Sequence, residues 1–365
     1  MGTGVEPLQD FAPGNVDLLY YGPVDIGTPA QRLTIDIDTG SADLWVPVNC
    51  TSCNGRSFDP AQSSTYTNTN QPFSITYGSG AVSGTLATDV VSIAGFTVQQ
   101  QAFGAIDGES ADFQGQPNDG LLGMAFGTIA QSRRPTFFEN LIEGRQLAAP
   151  LFSVHLERRQ ETGSEVCFGC VDADRIDGTG SITWIPVKSQ TYWAIGMDGI
   201  AANGQVAQTN ILAAIDTGTT LVYLPNELAA RFYALVPGSK LAAQFGPGFY
   251  TYPCASRPTV ELSFDGTRFA LDLRDFNLGR TALGSADCVG GILAAGDGFP
   301  SNLAIVGDEF LKSCESLICP VVLRAILMCS SVAGWDARGV HLGYSIYDYS
   351  NGARVGFAQD ANNKP

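Results

Sequence analysis

Short apolar runs separated by turn residues recur along the chain. Examples are LLYYGPVDIG at residues 18–27, QRLTIDI at 31–37, YWAIGMDGI at 192–200 and ILAAI at 211–215. Runs of this length, rich in β-branched and aromatic residues, are typical of strands, and the 42 Gly and 19 Pro residues supply turns between them. The pattern predicts a mostly β protein.

Two of these runs lead into the same polar motif. The first is IDIDTGSADLWVP at residues 35–47, and the second is AIDTGTTLVYLP at 214–225. The Asp-Thr-Gly triplet at 38–40 thus recurs at 216–218, which is 178 positions later. Strand-like runs precede both copies, and apolar residues and a Pro follow them. The order of these features indicates an internal duplication.

The similarity between the two halves extends further along the chain. LLG at 121–123 follows the first motif, and IVG at 305–307 follows the second. A chain of 365 residues is also longer than a single hydrophobic core usually grows. We therefore predict two lobes, residues 1–180 and 181–365, with the boundary near Gly180.

The duplicated carboxylates, Asp38 and Asp216, suggest chemistry. Burial of an ionised Asp is costly unless the group is paired or protonated. A pseudo-twofold axis between the lobes would bring the two loops face to face across a cleft. Two carboxyl groups in contact share one proton, so one acts as a base and the other as an acid. A single Asp-Thr-Gly is explained by a surface turn; two copies in matching contexts favour a functional pair.

Composition argues against some classes of function. The net charge of -16 and the presence of only four Lys argue against nucleic acid as a partner, since phosphate binding needs a basic face. The acidic surface hints at acidic surroundings, although ordinary solubility explains it equally well. The best apolar run, LICPVVLRAILMC at 317–329, is too short to span a bilayer and is interrupted by Pro320 and Arg324.

Other hydrolytic chemistries lack their usual residues. The chain has two His, and His155 lies in LFSVHLE, whose alternation predicts a strand. The sequence contains neither a Gly-x-Ser-x-Gly elbow nor an HExxH motif. We therefore expect no metal and no cofactor.

With both motifs considered, residues from about 20 to 358 resemble the pepsin-like aspartic endopeptidases (pepsin family A1). The resemblance implies a bilobal fold of two pseudo-twofold-related β lobes with a central substrate cleft. It also implies hydrolysis of peptide bonds in proteins at acidic pH, by a water molecule activated between two Asp residues. RVGFA, at 354–358, matches the closing strand of that family.

The resemblance assigns roles to individual residues. Asp38 and Asp216 match the catalytic pair. The supporting residues of the two loops are Thr39, Gly40, Ser41, Thr217, Gly218 and Thr219. The run SITYGSG resembles the flap that closes over bound peptide, with Tyr77, Gly78 and Ser79 at its tip and Trp45 as the partner of the tyrosine. By composition alone the run is an ordinary hairpin tip.

Two further residues, Asp119 and Asp308, match family positions, and a third residue has two possible roles. We interpret Asp119 and Asp308 as structural turn or cap residues. Phe113 either lines the pocket for the residue before the scissile bond or is an aromatic residue of a surface loop.

Nine Cys leave at least one thiol without an intramolecular partner. Cys254 and Cys288 resemble the disulfide of the family's second lobe. Cys50 and Cys53 occupy the place of a first-lobe loop bridge, whereas Cys167 and Cys170 have no assigned counterpart. A CxxC pair can also be redox-active or half of a zinc site, but we favour local disulfides or inert thiols.

Residues 314–343 depart from the family pattern. They form an insert of about 30 residues that contains Cys314, Cys319 and Cys329, whose pairing the sequence leaves open. We interpret the insert as an unspliced intron or gene-model error, because its removal leaves six Cys in three plausible pairs.

A non-enzymatic alternative is a catalytically silent protein of the same fold that binds peptides or inhibits another enzyme. Such proteins typically lose a catalytic Asp or a flap residue, and neither is lost here. The resemblance further implies polypeptide substrates, pepstatin-like inhibitors and a monomer. Residues 1–10 lack the features of a leader peptide, so we expect an extracellular (secreted) product, or alternatively a vacuolar or lysosomal one, whose leader is not part of this chain.

Overall fold

The computed structural model describes residues 1–14, 16–176, 182–313, 340–341, 344–349 and 352–358. Strands dominate these residues, so the predicted mostly β class is confirmed. The boundary predicted near Gly180 lies outside the described residues. So does nearly all of the segment 314–343, including its three Cys.

The first half supplies ten of the described strands. They are β1 (Gly4–Phe11), β2 (Leu19–Ile26), β3 (Gln31–Asp38), β4 (Leu44–Pro47), β5 (Thr67–Tyr77), β6 (Gly80–Ile93), β7 (Phe96–Glu109), β8 (Gly120–Gly123), β9 (Leu151–His155) and β10 (Ser164–Phe168). Helix α1 (Phe137–Glu143) lies between β8 and β9.

The second half continues with strands and short helices. Its strands are β11 (Ile182–Gln190), β12 (Trp193–Ala202), β13 (Gln205–Ile215), β14 (Val222–Leu224), β15 (Lys240–Leu241), β16 (Tyr250–Pro253), β17 (Val260–Phe264), β18 (Thr267–Leu271), β19 (Asn277–Arg280), β20 (Asp287–Gly290), β21 (Ile292–Ala294), β22 (Leu303–Val306), β23 (Val340–His341), β24 (Tyr344–Asp348) and β25 (Arg354–Ala358). Its helices are α2 (Asn226–Tyr233), α3 (Leu273–Phe276) and α4 (Asp308–Leu311). No helix in the described ranges is long and apolar enough to cross a bilayer.

An antiparallel sheet joins the two halves. Its order is β1-β10-β9-β24-β25-β11, so each half contributes three strands. Each half also builds its own sheet, around β2, β3, β6 and β7 in the first and around β12, β13, β17 and β18 in the second. This arrangement is the bilobal fold that the resemblance implies.

The local topology around each Asp-Thr-Gly motif is repeated. In the first half β3 runs parallel to β8, and β4 pairs with β8 antiparallel. In the second half β13 runs parallel to β22, and β14 pairs with β22 antiparallel. Each motif therefore sits where a central strand ends between two neighbours, which holds its loop rigidly.

Aromatic packing fixes the halves relative to each other. Phe152 on β9 stacks on Tyr347 of β24, with ring centroids 4.6 Å apart and planes inclined by 12°. Trp193 at the start of β12 meets both rings and is fully buried. Burial of a large apolar side chain stabilises a fold by about 1.5–3 kcal/mol. Because the two halves supply these residues jointly, their packing also sets the position of the two loops.

Three disulfides lie within the described residues. They join Cys50 to Cys53, Cys167 to Cys170 and Cys254 to Cys288, with Cα atoms 5.5, 5.5 and 5.1 Å apart respectively. Both CxxC pairs thus form local disulfides, which is one of the two states that the sequence left open.

Candidate active site

Asp38 and Asp216 meet at the junction of the two halves. Asp38 ends β3 and Asp216 follows β13, and their side chains are only 5% and 8% exposed. The two carboxyl groups are close neighbours, because Gly40 of the first loop lies against Asp216 and Gly218 of the second lies against Asp38. The face-to-face arrangement expected from the duplication is present.

The same two kinds of donor hold each carboxylate. Gly40 N–H donates to Asp38 Oδ1 at 2.7 Å, and the Ser41 hydroxyl donates to Oδ2 at 2.5 Å. In the second loop the Gly218 N–H donates to Asp216 Oδ1 at 2.9 Å. Thr219 Oγ1 donates to Asp216 Oδ2 at 2.7 Å. These bonds orient both carboxyl groups before any substrate binds.

The two threonines of the motifs brace the loops against each other. Thr39 N–H donates to Thr217 Oγ1 at 3.1 Å, and Thr217 N–H donates to Thr39 Oγ1 at 3.0 Å. Each hydroxyl then donates across the junction to a backbone carbonyl, from Thr39 to Ile215 at 2.8 Å and from Thr217 to Ile37 at 2.5 Å. Since both threonines are buried, loss of either would leave polar groups unsatisfied.

The glycines of the motifs permit this close approach. A Cβ atom on Gly40 would collide with the carboxyl group of Asp216, and one on Gly218 would collide with that of Asp38. Each glycine therefore lies directly against the opposite carboxyl group. Any larger residue would push the loops apart.

The electrostatics of the pair favour retention of a proton. Burial raises the pKa of Asp38 well above its usual range, and the neighbouring Asp216 and Asp36 carboxyl groups raise that pKa further. The hydrogen bond from Ser41 acts in the opposite direction. A protonated carboxyl group can thus persist here beyond strongly acidic pH.

The predicted flap is a β-hairpin that reaches the pair. Strands β5 and β6 pair up to Tyr77 and Gly80, which leaves Gly78 and Ser79 as an exposed two-residue turn. The buried Trp45 donates its indole N–H to the Tyr77 hydroxyl at 2.9 Å. The flap tyrosine is therefore anchored to β4, a few residues beyond Asp38.

Phe113 belongs to the same aromatic cluster. Its ring meets Trp45 edge-on at 5.5 Å and Tyr77 at 6.1 Å, and its side chain is 6% exposed. The alternative interpretation as a surface-loop aromatic is therefore wrong. Phe113 instead forms an apolar wall under the flap.

Asp119 and Asp308, which were both interpreted as structural residues, differ in their hydrogen bonding. Asp119 accepts backbone N–H bonds from Thr34 at 2.8 Å and Arg56 at 2.6 Å, and it also pairs with the Arg56 guanidinium. This fits its predicted turn role. Asp308 is completely buried at the first turn of α4, and its carboxylate oxygens accept no hydrogen bond from the described residues. Asp308 therefore lies in a helical turn, as one of its two interpretations has it, but its side chain makes no capping bond.

Sequence reasoning overlooked two acidic residues beside the first loop. Asp43 accepts backbone bonds from Gln131 at 2.7 Å and Ser132 at 3.0 Å, which fixes a distant loop next to the motif. Asp36 is 7% exposed, and its pKa is raised by burial and by Asp216 to about 8. The alternation of IDID places Asp36 on the same side of β3 as Asp38, and this signal could have identified it.

A buried ion pair ties the start of the chain to the second half. Lys312 Nζ lies 2.6 Å from Asp17 Oδ2, and both side chains are almost fully buried. The nearby Asp10 has its pKa raised to about 8 by burial and by Asp17. Neither acidic residue was singled out in the sequence.

His155 is in a strand, as its pattern predicts. It lies in β9, is buried, and has its ring 3.2 Å from the carboxylate of Glu157.

Comparisons with known proteins agree with this geometry. The profile of the family described as eukaryotic aspartyl protease matches residues 19–317. An aspartic protease of Phaffia rhodozyma is 38% identical over 98% of this chain and 79% of its own. Rhizopuspepsin of Rhizopus chinensis is 36% identical over 86% of this chain and 78% of its own, and pepsin A of Rhinolophus ferrumequinum is 34% identical over 84% and 79%. The chain belongs to the eukaryotic aspartyl protease family and is an aspartic endopeptidase that acts on polypeptides.

Proposed function

We propose that Asp38 and Asp216 are the catalytic pair and that the enzyme hydrolyses proteins at acidic pH. The observation that carries this proposal is the proximity of the two carboxyl groups across the paired loops, each held by a glycine N–H and a hydroxyl from its own loop. The catalytically silent alternative is not favoured, because both Asp residues and the flap Tyr77 are in place.

The proposed mechanism needs only the two carboxyl groups and one water molecule. The ionised Asp takes a proton from the water as the water oxygen attacks the scissile carbonyl carbon. The protonated Asp donates a hydrogen bond to the developing oxyanion. Collapse of the tetrahedral intermediate breaks the C–N bond, and a proton passes to the leaving nitrogen. No acyl-enzyme intermediate forms.

This mechanism requires one proton on the pair. Below the lower apparent pKa both groups are neutral and the base is lost; above the higher one both are ionised and the acid is lost. We therefore expect a bell-shaped profile with an acidic optimum. The burial that raises the pKa of Asp38 extends the upper limb towards neutral pH.

The surroundings of the pair suit an extended peptide. Main-chain hydrogen bonds would set the register of the substrate, and the flap would close over it. Trp45, Tyr77 and Phe113 form an apolar aromatic cluster in the same half as Asp38, against which an apolar side chain of the substrate could pack. We expect pepstatin-like statine inhibitors to occupy the same cleft, and we expect a monomer.

We further propose a secreted enzyme, or alternatively a vacuolar or lysosomal one. The net charge of -16 supports an acidic environment, because protonation of carboxylates relieves self-repulsion there. We also propose that the lobes divide near Gly180.

The decisive experiment is cleavage of denatured haemoglobin or casein at acidic pH by the wild type and by Asp38→Ala. The variant should lose essentially all activity, whereas Asp107→Ala, an exposed Asp of β7, should retain it. Equal activity of the wild type and Asp38→Ala would remove Asp38 from the mechanism. Titration with a statine inhibitor adds a second test, because inhibitor binding without turnover would favour the silent alternative.

A further inference from the structure

A groove with a basic rim lies beside the first Asp-Thr-Gly loop. It has a volume of about 350 Å³, and Thr128, Arg133, Arg134, Pro135 and Glu139 are among its lining residues. The side chains of both arginines are exposed at its edge. We refer to it as the arginine groove.

The loop that forms the arginine groove is attached to the catalytic loop. Ala125 N–H donates to the Ser41 carbonyl at 2.8 Å, at the start of this segment. Asp43 accepts from the N–H groups of Gln131 and Ser132, immediately before the two arginines. These hydrogen bonds attach the groove to Ser41 and Asp43, which follow Asp38 closely in the chain.

The second half of the chain also contacts this loop. Phe126 N–H donates to the carbonyl of Thr191 at 3.2 Å, and the Thr128 hydroxyl donates to that of Gln190. The arginine groove therefore lies close to the junction of the halves, where the catalytic pair also lies.

The charge of the arginine groove is unusual for this chain. The protein carries a net charge of -16, yet Arg133 and Arg134 are adjacent and neither makes an ion pair with a described residue. Arg133 also adopts a left-handed backbone with φ of 54°, which strains a residue other than glycine.

The acidic residue of the groove, Glu139, makes no ion pair with either arginine, and its oxygens bind other donors instead. Glu139 accepts from the N–H groups of Gly127 at 2.9 Å and Thr136 at 3.0 Å, and from the Tyr349 hydroxyl at 3.2 Å. Its carboxylate thereby closes the capping box of α1. Two guanidinium groups remain available to a ligand.

We propose that the arginine groove is a subsite for acidic side chains of the polypeptide substrate, on one side of the scissile bond. This proposal rests on the proposed function of Asp38 and Asp216, and it adds a substrate preference. An extended peptide that lies across the pair advances about 3.3 Å per residue, so successive side chains on one side of the bond lie progressively farther from the pair along the protein surface. A guanidinium group binds a carboxylate through two parallel N–H bonds, which makes Arg suited to this task.

The test uses peptides that share one cleavable core and carry Glu or the isosteric Gln at successive positions on either side. At pH 5.5 a Glu side chain is mostly ionised, because its ordinary pKa is about 4.3. We expect kcat/KM for the Glu peptide to exceed that for the Gln peptide about fivefold, at positions on one side only, with the ratio shrinking at high salt since exposed charges are screened.

Variants assign the preference to the arginines. Arg133→Asn together with Arg134→Gln should bring the Glu-to-Gln ratio to about one, and Arg133→Asp with Arg134→Glu should invert it. Asn and Asp tolerate the left-handed backbone at position 133. Arg145→Asn is the matched control, because Arg145 is also exposed, left-handed with φ of 51° and outside the groove.

A Glu-to-Gln ratio of kcat/KM equal to one in the wild type would overturn the subsite. A ratio that persists after the double substitution would overturn it as well. In both cases the peptides are still cleaved, so the proposed function stands. Absence of cleavage of every peptide would instead contradict the proposed function. Binding of fluorescent Glu and Gln peptides to Asp38→Asn tests the subsite separately from the proposed function, because this measurement needs no turnover. If the Glu peptide binds more tightly and the double substitution abolishes the difference, the subsite is supported even when no peptide is cleaved.

Discussion

The two Asp-Thr-Gly loops hold their carboxylates by the same bonds but lie in different surroundings. Gly40 with Ser41 and Gly218 with Thr219 supply equivalent donors. Above Asp38, however, lies the flap with its aromatic cluster. Duplication has preserved the backbone and donors that the chemistry needs, while neighbouring side chains differ.

The residue that follows each LLG or IVG strand illustrates the difference. In the first half it is Met124, an apolar residue of the core. In the second half it is Asp308, a carboxyl group buried without a hydrogen bond from the described residues. The second loop thus rests against an acidic group whose ionisation must affect the stability of the protein.

The largest expected effect tests the equivalence of the two loops. Asp38→Asn and Asp216→Asn should each lower kcat/KM by about 10⁴-fold, and the double variant should be little worse, because the pair acts as a unit. Steady-state kinetics on one peptide measures this. Additive losses in the double variant would show that the two carboxyl groups act independently.

The next effect concerns the buried carboxyl groups behind the loops. Burial raises the pKa of Asp308 well above its usual range; Lys312 opposes this shift, while Asp36, Asp216 and Asp17 add to it. Because the folded state holds this proton more tightly than the unfolded state, its contribution to stability is complete below about pH 4 and is lost as pH rises. The loss is up to about 1.4 kcal/mol per pH unit for such a group.

Asp308→Asn should therefore flatten the fall in stability between pH 4 and 8, with the largest gain at the upper end. Urea unfolding at pH 4, 6 and 8 measures the free energy of unfolding. The exposed Asp107→Asn is the control and should follow the wild type. An unchanged slope for Asp308→Asn would argue against a proton on the buried group.

A smaller effect tests the symmetry of the brace between the loops. Thr39→Val and Thr217→Val should each destabilise the protein by about 1–3 kcal/mol, because each leaves a buried N–H group and a carbonyl group without partners. The double variant should be less than additive, since the two hydroxyl groups share one network. The matched Thr→Ser variants keep the hydroxyl and should lose much less. Markedly unequal losses of unfolding free energy at positions 39 and 217 would show that the two threonines do not contribute equally.

The smallest effect concerns the hairpin of β5 and β6, which we propose as the flap. Tyr77→Phe removes the acceptor of the Trp45 indole N–H and should lower kcat/KM about three- to tenfold, with a change in stability of about 1 kcal/mol or less. Tyr66→Phe, in the same half but in a different aromatic group, is the control. Equal kinetics for Tyr77→Phe and the wild type would exclude a role of the hydroxyl in closure.

Features that depend on local pattern were predictable from the sequence. The duplicated triplets predicted that Asp38 and Asp216 lie together, and strand alternation predicted the β class. The run around Tyr77 predicted a hairpin, and the structure has one there. These features were predictable because strand periodicity, turn residues and the spacing of a repeat are all encoded by neighbours along the chain.

Features that depend on contacts between distant segments were visible only once the chain was folded. Phe113 is buried because Trp45 and Tyr77 meet it, and Asp43 matters because residues 131 and 132 fold back onto it. Asp308 is completely buried and accepts no hydrogen bond from the described residues, which its place in the sequence does not reveal. Burial, pKa and the shape of the arginine groove arise from groups brought together by folding, and no local pattern specifies them.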